Sequence, residues 1–459
     1  MGTALDSEVL GDLFGTDEAR SALGDRALLQ GWLDAERALA LAEAEVGVIP
    51  AAAAERIAAQ ADASLYDLGE LRKGIAESQH PLVPFLRALV ALCGDAGGYV
   101  HWGATTQDVM DTGAVLQIRA ALVPIERDLH RATRAAGELA QRHAATPIAG
   151  RTHGQHAVPT TFGLKAASWT DELLRAEERL ERARATILTA QLGGAAGTLA
   201  SLGDDASAVR SAYCRLLELA EPDVPWHAAR DRIRDLLHAL GEIGAAAERI
   251  ASEIVRLQAT EAGEASEPAS ELSVGSSTMP QKRNPMVCEY VIASARLLRG
   301  PLTVLEASAA HANERDMGAW APEWVAVPEA LILTAGLLDK LAGVLERLVV
   351  DTNRMRSNLD LTGGAIMAEA VMMTLARSMG HERAHSVVSS ASRRAAETRS
   401  DLRTALLADP ELAASLDLHE LDELLDPSRY LGLAVETATA VAARAEGGSN
   451  AEPTQSEVK

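Results

Sequence analysis

The chain of 459 residues reads as an all-α protein, and three observations point there. Aromatic residues make up only 3% of it while Ala and Leu recur throughout, and strands draw on aromatic and β-branched residues far more than helices do. Apolar residues return at spacings of three and four over long runs, the stripe of a helix that buries one face. No alternating run bounded by an Asn-Gly or Asp-Gly turn occurs, so nothing argues for a substantial sheet.

The first stripe is Leu28, Trp32, Ala35, Leu39, Ala42 and Val46, with Asp25 placed to cap its start and Gly47 and Pro50 to end it. After Gly113 comes a second, nearly a heptad seam, through Leu122, Ile125, Leu129, Ala132, Ala136 and Leu139. The third, Leu236, Leu240, Ile243, Ala247, Ile250, Ile254 and Leu257, is free of proline, and such a period suits near-parallel packing against other long helices. Periodic stretches also cover 161–190, 286–310 and 323–350. Divisions fall near residue 110, where His101 to Gly113 is polar and rich in Gly and Thr, and near residue 355. The predicted organisation is an N-terminal helical domain over 1–110, a central long-helix bundle over 111–354, a C-terminal helical domain over 355–445 and a disordered tail over 446–459. Glu261 to Gln281 is a long polar interruption between two periodic segments, and an interruption of that length inside a bundle is expected to be functional or disordered.

Composition excludes several classes of function. A net charge of −22 opposes any broad electrostatic grip on nucleic acid or anionic membrane. With 47% hydrophobic and 24% charged residues the chain is ordinary globular protein. Cys93, Cys214 and Cys288 are scattered singly, which suggests neither a zinc site nor a disulfide framework and fits a reducing compartment. The first residues show no basic region followed by an apolar run, and no stretch of 18 apolar residues occurs. The expectation is a soluble cytoplasmic protein that needs no metal and no cofactor.

Within the polar interruption, which extends as a loop over 261–285, stands Gly275-Ser276-Ser277-Thr278-Met279-Pro280-Gln281-Lys282-Arg283-Asn284-Pro285. It resembles the signature loop of the fumarase/aspartase superfamily, GSSxMPxKxNP, and matching every fixed position far exceeds a chance short motif. His101-Trp102-Gly103-Ala104-Thr105-Thr106-Gln107-Asp108 is similar to that family's substrate-binding turn. Arg151-Thr152-His153-Gly154-Gln155-His156 resembles the segment supplying Thr and His in adenylosuccinate lyases, and Gln79-His80 stands where those lyases carry a further histidine. The resemblance runs from about Leu13 to about Ala440. It leans toward bacterial 3-carboxy-cis,cis-muconate cycloisomerases through Leu13-Phe14-Gly15, Glu45 to Pro50, His101 to Gly113, Trp226-His227 and Gly318 to Trp324.

The resemblance implies a fumarase/aspartase-type fold, a central long-helix bundle flanked by two smaller helical domains. It also implies a homotetramer with active sites shared between subunits, acting on a small dicarboxylate. Elimination from a substituted succinate needs a base for a carbon-bound proton, groups that hold the dianionic intermediate, and an acid for the leaving atom. On the family pattern Ser276 is the base, and Lys282 and Asn284 hold the carboxylate that gathers charge. A serine alkoxide needs stabilisation, which Lys282 and loop N–H groups supply when the loop closes. His153 is the general acid, Thr105, Thr106 and Thr152 bind substrate carboxylate, and His80 orients or balances charge. Arg315 is a second carboxylate clamp, since a guanidinium can make two parallel hydrogen bonds to a carboxylate. Arg230 and Arg232 read either as anion contacts or as solvated charge at a helix end.

The pattern also narrows the reaction. Cycloisomerases of this branch typically carry Trp where this chain has His153. Adenylosuccinate lyases need Ser and Arg for the nucleotide where this chain has Trp320 and Trp324, and a bulky apolar residue cannot replace a phosphate ligand. The leading expectation is therefore anti β-elimination from a small substituted succinate, either nitrosuccinate with release of nitrite or an aspartate derivative, to give fumarate. A 3-carboxy-cis,cis-muconate cycloisomerase, an adenylosuccinate lyase and a non-catalytic structural relative are the alternatives.

Overall fold

Helices form where the apolar stripes run. The computed structural model describes residues 3–268, 279, 282–415 and 417–447, and it is 73% helical with 4% strand. The first long helix, α1, spans Asp25–Val46. Gly24 is its N-cap, so Asp25 is the first helical residue rather than the expected cap, and its carboxylate still favours the positive end of the helix dipole. Gly47 ends α1 as expected, in the left-handed region at φ 90°, where its N–H bonds Ala44 and the next N–H bonds Glu43. Next, α2 spans Leu82–Cys93, with Leu82, Phe85, Leu89 and Cys93 facing the core. The apolar window Leu82–Tyr99 that contains it is interrupted by Arg87 and Asp95.

Helix α3, Thr106–Arg142, begins earlier than the stripe after Gly113 indicates. Two local causes explain the difference. Asp108 reaches back to the Thr105 N–H at 3.0 Å, half of a capping box that starts the helix there. Gly113 is no breaker but the point where α1 crosses: a Cβ on Gly31 would stand 2.9 Å from the Gly113 carbonyl oxygen.

A hairpin follows that the sequence pattern did not reveal: β1, Pro147–Thr152, pairs antiparallel with β2, Gln155–Thr161. Then come α4, Phe162–Ile187, and α5, Asp231–Gln258. The short strand β3, Ala265–Ser266, lies before α6, Met286–Ala307. Helix α7, Glu323–Glu346, precedes β4, Val349–Val350, which pairs with β3, and two C-terminal helices are α8, Ala368–Met379, and α9, His381–Thr398. The stripe residues of α1 from Trp32 to Ala42, of α3 and of α5 are buried as the periodicity predicts. Position 276 and the tail beyond residue 447 lie outside the described residues.

The chain forms two compact units. One consists of Met1–Asp128, Ala176–Ala247 and Tyr290–Asp339, and the other of Leu129–Arg175, Glu248–Glu289 and Lys340–Lys459. In the first, Trp32 meets Phe85 edge to face at 5.7 Å between ring centres. There the buried Glu36 accepts the His101 backbone N–H at 3.1 Å and contacts His101 Nδ1 at 2.6 Å, fixing the turn that leads into α3. In the second, the hairpin's Ala149 packs with Leu359, Ile366, Met367 and Ala370, and α8 and α9 share a core through Val371, Leu375, Ala384 and Val388.

One feature of α1 makes stability depend on pH. Glu43 is fully buried, neither of its carboxylate oxygens has a hydrogen-bond partner among the described residues, and burial, then the neighbouring Glu36, push its pKa up to about 9 from 4.5. A carboxyl whose folded pKa is raised contributes its full stability below the unfolded value and loses it as pH rises through the folded one. Glu43→Gln removes the charge and keeps the shape. The variant's gain in melting temperature over the parent is expected to be absent at acid pH and to grow from about pH 4.5 to about pH 9. A difference that stays flat across that range would show Glu43 to be ionised and paired in solution.

Candidate active site

In the first unit the site is built on two consecutive buried residues at the start of α3. The Asp108 carboxylate takes four donors: the N–H groups of Gly193 and Gly194, each at 2.9 Å, the Thr105 N–H at 3.0 Å, and the His227 ring Nε2 at 2.7 Å. Gln107 donates its amide to the His227 carbonyl at 2.9 Å and accepts from Arg315 Nε at 3.0 Å. Arg315 also donates to the Ala195 carbonyl at 3.2 Å. Thus the Thr105-Thr106 turn, the Gly193 to Ala195 loop, the His227 segment and Arg315 are tied into one framework. The hydroxyls of Thr105 and Thr106 have no hydrogen-bond partner among the described residues and stand at the N-terminal end of a 37-residue helix, where the dipole favours an anion.

Arg230 is placed differently from the anion contact that its segment suggested. It is 4% exposed, its Nη1 and Nη2 grip Asp111 at 2.7 and 2.9 Å, its Nε and Nη2 grip Glu323, and it lies over the Trp226 ring at 4.7 Å. Burial would lower its pKa, but the two carboxylates outweigh burial and raise it. With its donors spent on Asp111 and Glu323, Arg230 is the centre of a buried ion network rather than a hand for substrate, and it is no solvated helix end either. Trp320 belongs to this network, its indole N–H donating to Asp111 at 3.0 Å, and Trp324 packs edge to face on it. His311 lies beside the network with both ring nitrogens buried and without a partner among the described residues, and burial, then Arg230, lower its pKa. Arg232 donates to the Thr186 carbonyl. The His80 ring accepts the Val83 N–H at 3.2 Å at the start of α2, and no hydrogen bond joins it to Thr105, Thr106 or Arg315.

In the second unit Thr152 and His153 sit at the tip of the β1–β2 hairpin. The two residues between the paired Thr152 and Gln155 are His153 and Gly154, with φ of 50° and 75°. Two consecutive positive φ angles are the mark of a type I′ turn, whose twist matches the strands it joins. Thr152 and His153 are both exposed. The hairpin is held from behind by Arg151, which makes two 2.7 Å bonds to the fully buried Glu264, and Asn358 donates to the same carboxylate at 2.8 Å. His156, opposite Arg151 in the register, has its pKa lowered by burial and then by Arg151.

Lys282, exposed, and Asn284, half-buried, lie on the stretch that leads into α6. That stretch is clamped from both sides of the 269–281 segment. Glu267 accepts the backbone N–H groups of Val287 and Cys288, and Gln258 accepts the Glu267 N–H at 2.9 Å while donating to the Arg283 carbonyl at 3.2 Å. Ser276 lies outside the described residues. Sequence reading assigned no role to Asp108, Gln107, Glu264 or Glu267. Asp108 and Gln107 carried a usable signal, two polar residues ahead of a long apolar stripe; Glu264 and Glu267 carried none, because their partners are backbone groups and distant side chains.

The "Lyase" family model matches residues 14–300, and the model for the adenylosuccinate lyase C-terminus matches 364–441. A match over more than half the chain makes it a lyase-family enzyme. A 3-carboxy-cis,cis-muconate cycloisomerase of Pseudomonas aeruginosa is 45% identical over 419 residues, 90% of this chain and 91% of that one. An N-acetyl-S-(2-succino)cysteine lyase of Dickeya dadantii is 37% identical over 96% of this chain and 98% of its own length. A nitrosuccinate lyase of Streptomyces davaonensis is 39% identical over 95% and 94%. Among solved structures, the 3-carboxy-cis,cis-muconate lactonizing enzyme of Pseudomonas putida superposes with a TM-score of 0.91 at 38% identity, covering 96% of this chain and all of the other. The chain belongs to the fumarase/aspartase superfamily, in its cycloisomerase-like branch.

The two roles considered for Arg230 separate in a single variant. Arg230→Gln leaves Asp111 and Glu323 buried without their cation, and breaking a buried pair in this way costs about 3–5 kcal/mol. The expected outcome is a large fall in melting temperature, read by circular dichroism. A variant as stable as the parent but with a raised KM would return Arg230 to the substrate.

Proposed function

We propose that this enzyme forms fumarate by anti β-elimination from a small substituted succinate, with nitrosuccinate or an aspartate derivative as the substrate. The observation that carries this reading is the presentation of Thr152 and His153 at the tip of the hairpin, an exposed acid on a braced turn. In the proposed reaction Ser276 removes the proton next to one carboxylate, and Lys282 and Asn284 hold the charge that gathers there. Thr105, Thr106, Thr152 and Arg315 bind carboxylate, and His153 delivers a proton to the departing atom as its bond to carbon breaks. His80 balances charge nearby. Two relatives whose names specify succinate derivatives, the succinocysteine lyase and the nitrosuccinate lyase, support a leaving group attached to a succinate.

A second reading, a 3-carboxy-cis,cis-muconate cycloisomerase, is favoured by the 45% identity to the Pseudomonas aeruginosa enzyme. The two readings part on product. The wild type, assayed with nitrosuccinate, N-substituted aspartates, adenylosuccinate and carboxymuconate, is expected to give fumarate from a succinate. Ser276→Ala should lower kcat by at least about 10²–10⁴-fold, the contribution of a general base. His153→Asn keeps a residue that tolerates the turn while removing the proton donor; it should impair release of a basic amine strongly and release of nitrite much less. Lactone from carboxymuconate with no fumarate from any succinate would overturn the elimination reading in favour of the cycloisomerase.

The same proposal includes a homotetramer whose sites draw residues from more than one subunit. Exposed apolar residues on α6, Leu297 and Val304, and on α7, Val325, fit helices that pack against copies of themselves, and closed dihedral symmetry is a common solution. Light scattering at micromolar concentration should give four times the chain mass. A fully active monomer would reject the shared site.

A further inference from the structure

Among the described residues, the acceptors that hold Arg315 are neutral. Its Nε meets the Gln107 side-chain oxygen at 3.0 Å and its Nη2 meets the Ala195 carbonyl at 3.2 Å. Among the described residues no carboxylate lies within ion-pair distance of it. The adjacent Asp316 is occupied elsewhere, accepting the N–H groups of Ala312, Gly318 and Ala319. Among the described residues, two of the five guanidinium N–H groups are therefore used and no carboxylate pairs with the positive charge.

The contrast with Arg230 in the same unit is instructive. There two carboxylates take four of the guanidinium N–H groups and the Trp226 carbonyl the fifth, leaving nothing for a ligand. At Arg315 the equivalent position is held by Gln107, a residue isosteric with glutamate and without its charge. The amide orientation is determined by its neighbours: Nε2 donates to the His227 carbonyl and Oε1 accepts from Arg315. Turned over, the amide would set donor against donor and acceptor against acceptor. Gln107 is fully buried, and its neighbour Asp108 fixes the Thr105 backbone, so the amide has one place to be.

We propose that Gln107 is the positioning residue for Arg315, holding the guanidinium in register with the Thr105-Thr106 turn while leaving its charge free for a substrate carboxylate. Gln107 touches no substrate and acts through Arg315. The inference rests on the proposed role of Arg315 as a carboxylate clamp, and it specifies what the site takes: a ligand whose carboxylate supplies the negative charge that the protein withholds. A neutral amide or ester at that end of the ligand would forfeit the charge-assisted part of the bond.

Gln107→Glu tests this by supplying that charge from the protein. Succinate, an inert dianion, serves as the probe in calorimetry, alongside KM and kcat for whichever substrate the wild type converts. Gln107→Glu and Arg315→Gln should each weaken succinate binding and raise KM by at least about tenfold, with a smaller change in kcat. In the Arg315→Gln background Gln107→Glu should add almost nothing, because the two act on one interaction. Gln107→Met, which removes both hydrogen bonds without adding charge, reads the same coupling if the glutamate variant loses its helical content. Additive effects of the two substitutions, succinate binding in Gln107→Glu equal to the wild type, or succinate binding in the wild type no tighter than in Arg315→Gln would each overturn the proposal. Wild-type activity on carboxymuconate alone overturns the elimination reading and leaves the coupling to be read on that carboxylate.

Discussion

The first unit's candidate site hangs on one carboxylate. Asp108 is fully buried, and at that depth an ionised group is tolerable only if its lone pairs are filled. Four donors fill them, and each comes from a different stretch of the chain or a different face of the same turn: Thr105, Gly193, Gly194 and His227. Removing any one leaves the charge short of a partner, so segments far apart in sequence are held to a common geometry by the cost of not holding it. Gln107 extends the same framework by one residue and carries Arg315 with it.

The second unit solves a related problem with a different device. Arg151, Glu264 and Asn358 brace the base of a hairpin whose tip is exposed, so rigidity is supplied from behind and the tip is left open. Glu267 and Gln258 do the same for the stretch carrying Lys282 and Asn284. In both units buried polar groups position the candidate site residues, and they do so through bonds to backbone as well as to side chains.

The helices were legible because burial imposes a period, and Leu122 to Leu139 or Leu236 to Leu257 display it without help from other parts of the chain. Where sequence reading slipped, a tertiary fact was responsible. The stripe is legible only after Gly113, yet α3 begins at Thr106 and Gly113 lies within it at the crossing with Gly31. The β1–β2 hairpin escaped notice because its turn is His-Gly rather than Asn-Gly or Asp-Gly, and because a bulge between Ala149 and Arg151 disturbs the alternation. The candidate site residues stood out through a family resemblance, whereas the residues that hold them did not. For Arg230 the sequence left open an anion contact or a solvated helix end, and only Asp111 and Glu323 around it show an ion network, whereas Arg315 has Gln107 beside it and no carboxylate partner among the described residues.

The backbone at His153 bears on how such sites diverge. At φ 50° the residue occupies a conformation that His, Asn, Asp and Gly accept more readily than large or β-branched side chains do. A large or β-branched side chain placed here must therefore either bear the strain or rearrange the turn, so a substitution at this position acts on the backbone as well as on the side chain.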